Sequence, residues 1–118
     1  MKTEIVYIEK IHTEITFYIG TGPKDNFDVI DMGAPDDIWF HAKDESSCHV
    51  VVELPDDIHL DKSELKTIIK KGALLCKQHT NKLNNNKDTA FIYTPVKNVT
   101  KTKVAGCVLT KDTKTIIC

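Results

Sequence analysis

The stretch Pro35-Asp36-Asp37-Ile38-Trp39-Phe40-His41-Ala42, its polar link Lys43-Asp44-Glu45-Ser46, and the following Ser47-Cys48-His49-Val50-Val51-Val52 decide how this chain folds. Two runs rich in β-branched and aromatic residues flank a short charged link, the pattern of two strands joined by a loop. Side chains alternate along a strand, so Ile38, Phe40 and Ala42 share one face and Asp37, Trp39 and His41 the other. In the second run Cys48, Val50 and Val52 fall together, and Ser47 and His49 oppose them. One face is an ordinary core face. The other gathers an acid, the only Trp of the chain, two His and a Ser. A register setting His41 across from His49 would unite the polar set, with Ser47 close by; alternation alone leaves that register open. Singly, each residue has a structural use: Asp37 in a turn, Trp39 as core, the His bonded within the sheet. Their concentration in one hairpin marks a candidate site.

Outward from this hairpin the pattern stays mixed. Glu4–Ile8 and Glu14–Ile19 read as a first hairpin turning at His12-Thr13. Gly20-Thr21-Gly22-Pro23 breaks it, and the absence of a following Gly-Lys-Ser/Thr argues for a turn rather than a phosphate loop. Asp25–Met32 is a short helix candidate, with Asp25 as its cap, Phe27, Ile30 and Val29 as candidates to face inward, and Gly33 as its end. Asp61 opens one long helix running to His79, with Glu64 in the capping-box position. Leu65, Ile68, Ile69, Leu74, Leu75 and Cys76 give it an apolar face broken by Gly72. Lys62, Lys66, Lys70 and Lys77 recur at helical spacing as one stripe, flanked by Lys71. Lys82–Lys87 is a polar loop, Ala90–Thr94 a strand, and Val104–Leu109 with Thr115–Ile117 a last hairpin around Lys111-Asp112-Thr113-Lys114. The expected fold class is α+β. A mostly antiparallel sheet of five to seven strands, built from hairpins, packs against the long helix, with the short helix at an edge.

The chain has 118 residues, 41% hydrophobic and 28% charged, which suits one globular domain spanning 1–118. No apolar run approaches the roughly 20 residues of a membrane span, and Met1-Lys2-Thr3-Glu4 leads straight into a strand without a signal-peptide block. No membrane association and a cytoplasmic location are expected. Cys48, Cys76, Cys107 and Cys118 lack zinc spacing and read as free thiols, with Cys48 and Cys107 as small apolar residues in strands. The net charge of −1 hides an asymmetry. Residues 1–60 hold 4 Lys and 13 acids, net −9, while residues 61–118 hold 12 Lys and 4 acids, net +8. Such a split points to a basic surface made by the second half. There is no Arg, so anion contacts would be made by Lys as a point charge.

The Asp37-Ile38-Trp39-Phe40-His41 segment followed by Ser46-Ser47-Cys48-His49-Val50 resembles the signature of the NFACT-R domain family, in the form seen in its stand-alone eukaryotic members. Asn26 sits where the family has an Asn in a short helix. Tyr93-Thr94-Pro95, Lys97-Asn98-Val99-Thr100-Lys101 and Gly106 resemble the family's later strand, basic turn and last-hairpin Gly. The resemblance covers nearly the whole chain and implies an RNA-binding domain associated with tRNA and ribosome-associated quality control. It assigns Asp37, Trp39, His41, Ser47 and His49 to the motif. Cys48 departs from the family's usual Ser or Ala. The tail-synthesis role of full-length members is not expected here.

Three functions fit these residues. In a nucleic-acid-binding module, Lys66, Lys70 and Lys77 on the helix and Lys97, Lys101 and Lys103 near the last hairpin contact phosphate. Trp39, with Tyr93 as partner, offers a stacking face, and His41 and His49 bond phosphate, ribose or a base edge. In an enzyme, Asp37, His41, Ser47 and His49 form an acid–base set or hold a divalent metal. In a protein-interaction adaptor, the acidic first half meets a basic partner. The first is expected: structured RNA such as tRNA or rRNA, with the ribosome as a setting, DNA as an alternative ligand, no cofactor, no metal and no turnover. Lys side chains scattered over the surface would remove the electrostatic argument, whereas a cluster beside Trp39 and His41 would favour it.

Overall fold

The computed structural model describes all residues 1–118. Strands β1 (Lys2–Ile8) and β2 (Thr13–Gly20) form the first hairpin, turning through His12 in a left-handed conformation at φ 50°. Helix α1 (Pro23–Met32) follows, then β3 (Ile38–Ala42), β4 (His49–Glu53), helix α2 (Lys62–Gln78), β5 (Ala90–Pro95), β6 (Val99–Lys101), β7 (Val108–Thr110) and β8 (Lys114–Ile117). Six strands make one antiparallel sheet in the order β1-β2-β4-β3-β5-β8, and β6 and β7 pair separately. The architecture is α+β, and the six-stranded main sheet falls within the five to seven strands expected, with β6 and β7 as a separate pair outside it.

Alternation decides what each face buries. Phe17, Ile19, Phe40, Val50, Val52 and Phe91 form the main core under α2. Asp61 and Glu64 close the capping box at the helix start through bonds of 2.8 and 3.0 Å. The break at Gly72 in the helix's apolar face has a packing reason. A Cβ there would come within 2.3 Å of the Phe40 ring, so the ring lies directly on the helix backbone.

The opposite face carries a smaller core of Val29, Ile30, Trp39, Val51 and Val96. Helix α1 lies over this face, against β2 and β4, rather than at a sheet edge as expected, because Val29 and Ile30 need the Trp39–Val51 surface to bury. Asp25 does not cap it either. Pro23 starts the helix after Gly22, its fixed φ and missing N–H suiting that position, and Asp25 binds the Met1 amino group at 2.7 Å.

The expected last hairpin is not one. β7 turns back onto β6, and β8 instead adds to the free edge of β5, setting Ile116 beside Phe91. Each segment thereby buries a different apolar side chain: Ile116 packs against the main core, and Val99 and Val108 against the Trp39 core. Gly106 in the β6–β7 turn takes φ +80°, which a side chain would resist, and rests on Pro23. Cys107 is exposed in this turn, not a strand residue. The β6–β7 arm is thus pinned to the start of α1, and a cleft is left between them and the sheet.

Candidate nucleic-acid interface

The β3–β4 register pairs Ile38 with Val52, Trp39 with Val51 and Phe40 with Val50. One step further, this register sets His41 opposite His49, and their ring centroids lie 4.8 Å apart, edge to face. Trp39 completes a triangle. Its indole is parallel to His41 at 5.7 Å and edge-on to His49 at 5.5 Å. Trp39 Nε1 donates to His49 Nδ1 at 3.1 Å, and His41 Nδ1 donates to the Ala42 carbonyl at 2.7 Å. Burial, reinforced by the neighbouring His41, pushes the His49 pKa down to about 3. Burial also lowers that of His41, although its bond to the Ala42 carbonyl acts the other way. Both rings are neutral at pH 7. Ser47 Oγ accepts from the Ala42 N–H at 2.9 Å and donates to the Cys48 carbonyl at 2.9 Å, holding the loop that carries His49 against the end of β3.

These side chains line a cleft of about 610 Å³, with the first turn of α1 and the β6–β7 turn as its other walls. Trp39 is 1% exposed, so it forms the floor and does not present an open stacking face; the half-buried His41 lies on top of it. Tyr93 is not its partner. Tyr93 pairs with Phe40 in the β3–β5 register and projects to the α2 face, 6.2 Å from the Phe40 ring, on the other side of the sheet. Asp37 is also removed from the cleft. Its carboxylate, at the opposite end of β3, accepts from the N–H groups of Ala34 at 2.8 Å and Leu54 at 2.9 Å, tying two loops. The Asp–His–His–Ser set of an enzyme or metal site is therefore not assembled.

The lysines divide among several places. Lys66 meets Tyr93 in a groove of about 840 Å³ between α2 and β8, together with Lys62 and Lys114. None of the three is ion-paired, and Asp112 is the one carboxylate in the groove. Lys70 lies elsewhere, beside Lys71 in a depression against β1. Lys77 leaves the stripe altogether. The segment after α2 and the C-terminus fold over that end of the helix, so Lys77 is buried and donates to the carbonyls of Lys87 at 3.1 Å and Cys118 at 2.9 Å. Lys97 pairs with Asp36 at 3.0 Å, and Lys101 with Asp31 while lying over the Phe27 ring. Lys103 is exposed near the arm's turn. No lysine lines the cleft, whose rim holds Asp44 and Glu45. The expected cluster beside Trp39 and His41 is absent; Lys62, Lys66 and Lys114 share the α2–β8 groove, and the other lysines, buried Lys77 apart, are spread over separate parts of the surface.

Other residues carry no signal in the sequence. Lys2 and Lys82 line a smaller depression that shares Thr21, Ser46 and Ser47 with the cleft. Lys114 is hidden because the turn containing it reads as the cap of a hairpin. Cys48 and Cys76 place their sulfurs 3.6 Å apart in the core, a pair that no sequence spacing announces. Asn26 lines the cleft with its Oδ1 buried and unpartnered.

An antiparallel sheet with a cleft holding two neutral histidines on one face and a lysine-lined groove on the other describes a small α+β module. Residues 5–116 match the family described as the NFACT protein RNA binding domain, and the chain belongs to that family. Membership supports a nucleic-acid-binding role. The chain is 31% identical over 103 residues to the coiled-coil domain-containing protein 25 homolog of Dictyostelium discoideum, covering 83% of this chain and 47% of that protein. It is 34% identical over 89 residues to coiled-coil domain-containing protein 25 of Danio rerio, covering 74% of this chain and 42% of that one. The chain thus spans less than half the length of these relatives. The C-terminal part of the fibronectin/fibrinogen-binding protein from Streptococcus suis shares the fold, with a TM-score of 0.75 and 23% identity over 99% of this chain and 45% of that one.

Proposed function

We propose that the chain is a non-catalytic module that binds structured RNA, tRNA or rRNA, in the cytoplasm, in translation or ribosome quality control. The observation that carries this reading is the α2–β8 groove. Lys62, Lys66 and Lys114 converge there with Tyr93, without ion-pair partners. Unpaired lysines in one groove repel one another and attract a polyanion, and phosphate contacts of this kind supply affinity without sequence choice. The family adds RNA as the class of polyanion.

The test is tRNA binding by fluorescence anisotropy at about 50 and 200 mM salt. Wild type is compared with Lys62→Glu/Lys66→Glu/Lys114→Glu. Binding should fall steeply with salt. The variant should bind more weakly, with a salt slope shallower by about 0.7–0.9 for each phosphate that is no longer neutralised. No binding at the lower salt, or equal binding by the variant, overturns the proposal. Equal affinity for a DNA duplex of matched length would replace RNA by nucleic acid in general.

A further inference from the structure

We propose that the cleft between α1 and the β6–β7 arm holds one unpaired nucleobase by its Watson–Crick edge, between the Nε2 atoms of His41 and His49. This deepens the RNA reading and rests on it. Two hydrogen bonds fix the tautomers of these rings. Indole Nε1–H can only donate, so His49 Nδ1 accepts and a neutral His49 carries its proton on Nε2. A carbonyl can only accept, so His41 Nδ1 carries the proton and a neutral His41 has its lone pair on Nε2. Burial keeps both rings uncharged. The cleft therefore shows one fixed donor and one fixed acceptor, on rings 4.8 Å apart. Neither Nε2 is bonded within the fold.

That pair selects its ligand. A phosphate or carboxylate offers only acceptors and would meet the His41 lone pair and the rim acids Asp44 and Glu45, of which Glu45 is paired with Lys82 at 3.9 Å. Each Watson–Crick edge sets an acceptor beside a donor, as adenine does with N1 and N6–H, and unpaired RNA bases are commonly read by such edges. A volume of about 610 Å³ suits a small ligand, and Ile92 and Val108 supply apolar wall for a ring. Asn26, 9% exposed with an orphaned Oδ1, adds an acceptor for an amino group. The adjoining depression carries Lys2 and Lys82, so a nucleotide whose base fills the cleft has cations within reach of its phosphate.

The experiment follows the imidazole ¹⁵N and ring proton signals of ¹⁵N-histidine-labelled protein while the four nucleosides, and separately ribose 5-phosphate, are added. We expect at least one nucleoside to shift the Nε2 signals of both His41 and His49, with ribose 5-phosphate leaving them in place. Trp39→Phe, which frees His49 Nδ1, should mix the His49 tautomers in the same spectrum and weaken the nucleoside response several-fold. Nucleoside-insensitive signals in wild type, or an equal response to ribose 5-phosphate, overturn the proposal. The wild-type titration decides this even if the variant misfolds. Retained tRNA binding with silent histidines refutes the base pocket alone, whereas a nucleoside response without tRNA binding refutes the RNA reading alone.

Discussion

His49 makes stability fall with acid in a range where carboxylates are still ionised. An unfolded His titrates near 6.5, while the folded one, 2% exposed between Trp39 and His41, titrates at about 3. The folded-state pKa is depressed, so its contribution is whole above pH 6.5 and is lost as pH falls towards 3. Between these values the unfolded chain binds a proton that the native state refuses. Linkage over pH 7 to 5 gives a loss of about 2 kcal/mol from this group. His41, also depressed by burial, acts in the same direction. Urea unfolding at both pH values, with m of about 1–3 kcal/mol/M, should show the wild-type midpoint dropping by about 1 M. In His49→Gln the amide oxygen can still accept from the indole and nothing titrates, so most of this drop should disappear. The other histidines cancel in the difference between the two proteins. If wild type and His49→Gln lose the same stability from pH 7 to 5, the claim of a neutral, proton-refusing His49 is wrong.

Gly72→Ala should cost about 1–3 kcal/mol in urea unfolding, because its Cβ would stand 2.3 Å from the buried Phe40 ring. Lys77→Met leaves the carbonyls of Lys87 and Cys118 without their donor; a loss of about 1–3 kcal/mol is expected. Hydrogen exchange at the mutually bonded Thr89 and Cys118 amides should speed up with it. Native protein treated with a thiol reagent should react first at exposed Cys107, while buried Cys48 and Cys76 should react only on unfolding.

Most of the sheet was legible because alternation is local: Ile38, Phe40 and Ala42 against Trp39 and His41 settles which side meets α2. The capping box at Asp61 was legible for the same reason. Burial depth was not. The row Trp39–His41 reads as open surface because its own strand carries polar neighbours, yet what covers it comes from α1 and from a segment some sixty residues later. Val99 and Val108 pack onto the Trp39 core from the β6–β7 arm, and no spacing near Trp39 reports that. The lysine stripe failed at Lys77 by the same logic. Helical periodicity sets its direction correctly, but Lys87 and Cys118 arrive from elsewhere and turn a solvent position into a buried tie.

The same covering sets the character of the cleft. A cleft floored by Trp39 is low in dielectric, and its two histidines are neutral there. Lys82, paired with Glu45 at the rim, adds to the depression of His41 that burial causes. Lys62, Lys66 and Lys114 lie on the other side of the sheet from the cleft, in the α2–β8 groove. On the proposed reading, attraction of a polyanion and discrimination of an uncharged edge make opposite demands on the local field and are assigned to opposite faces of one sheet.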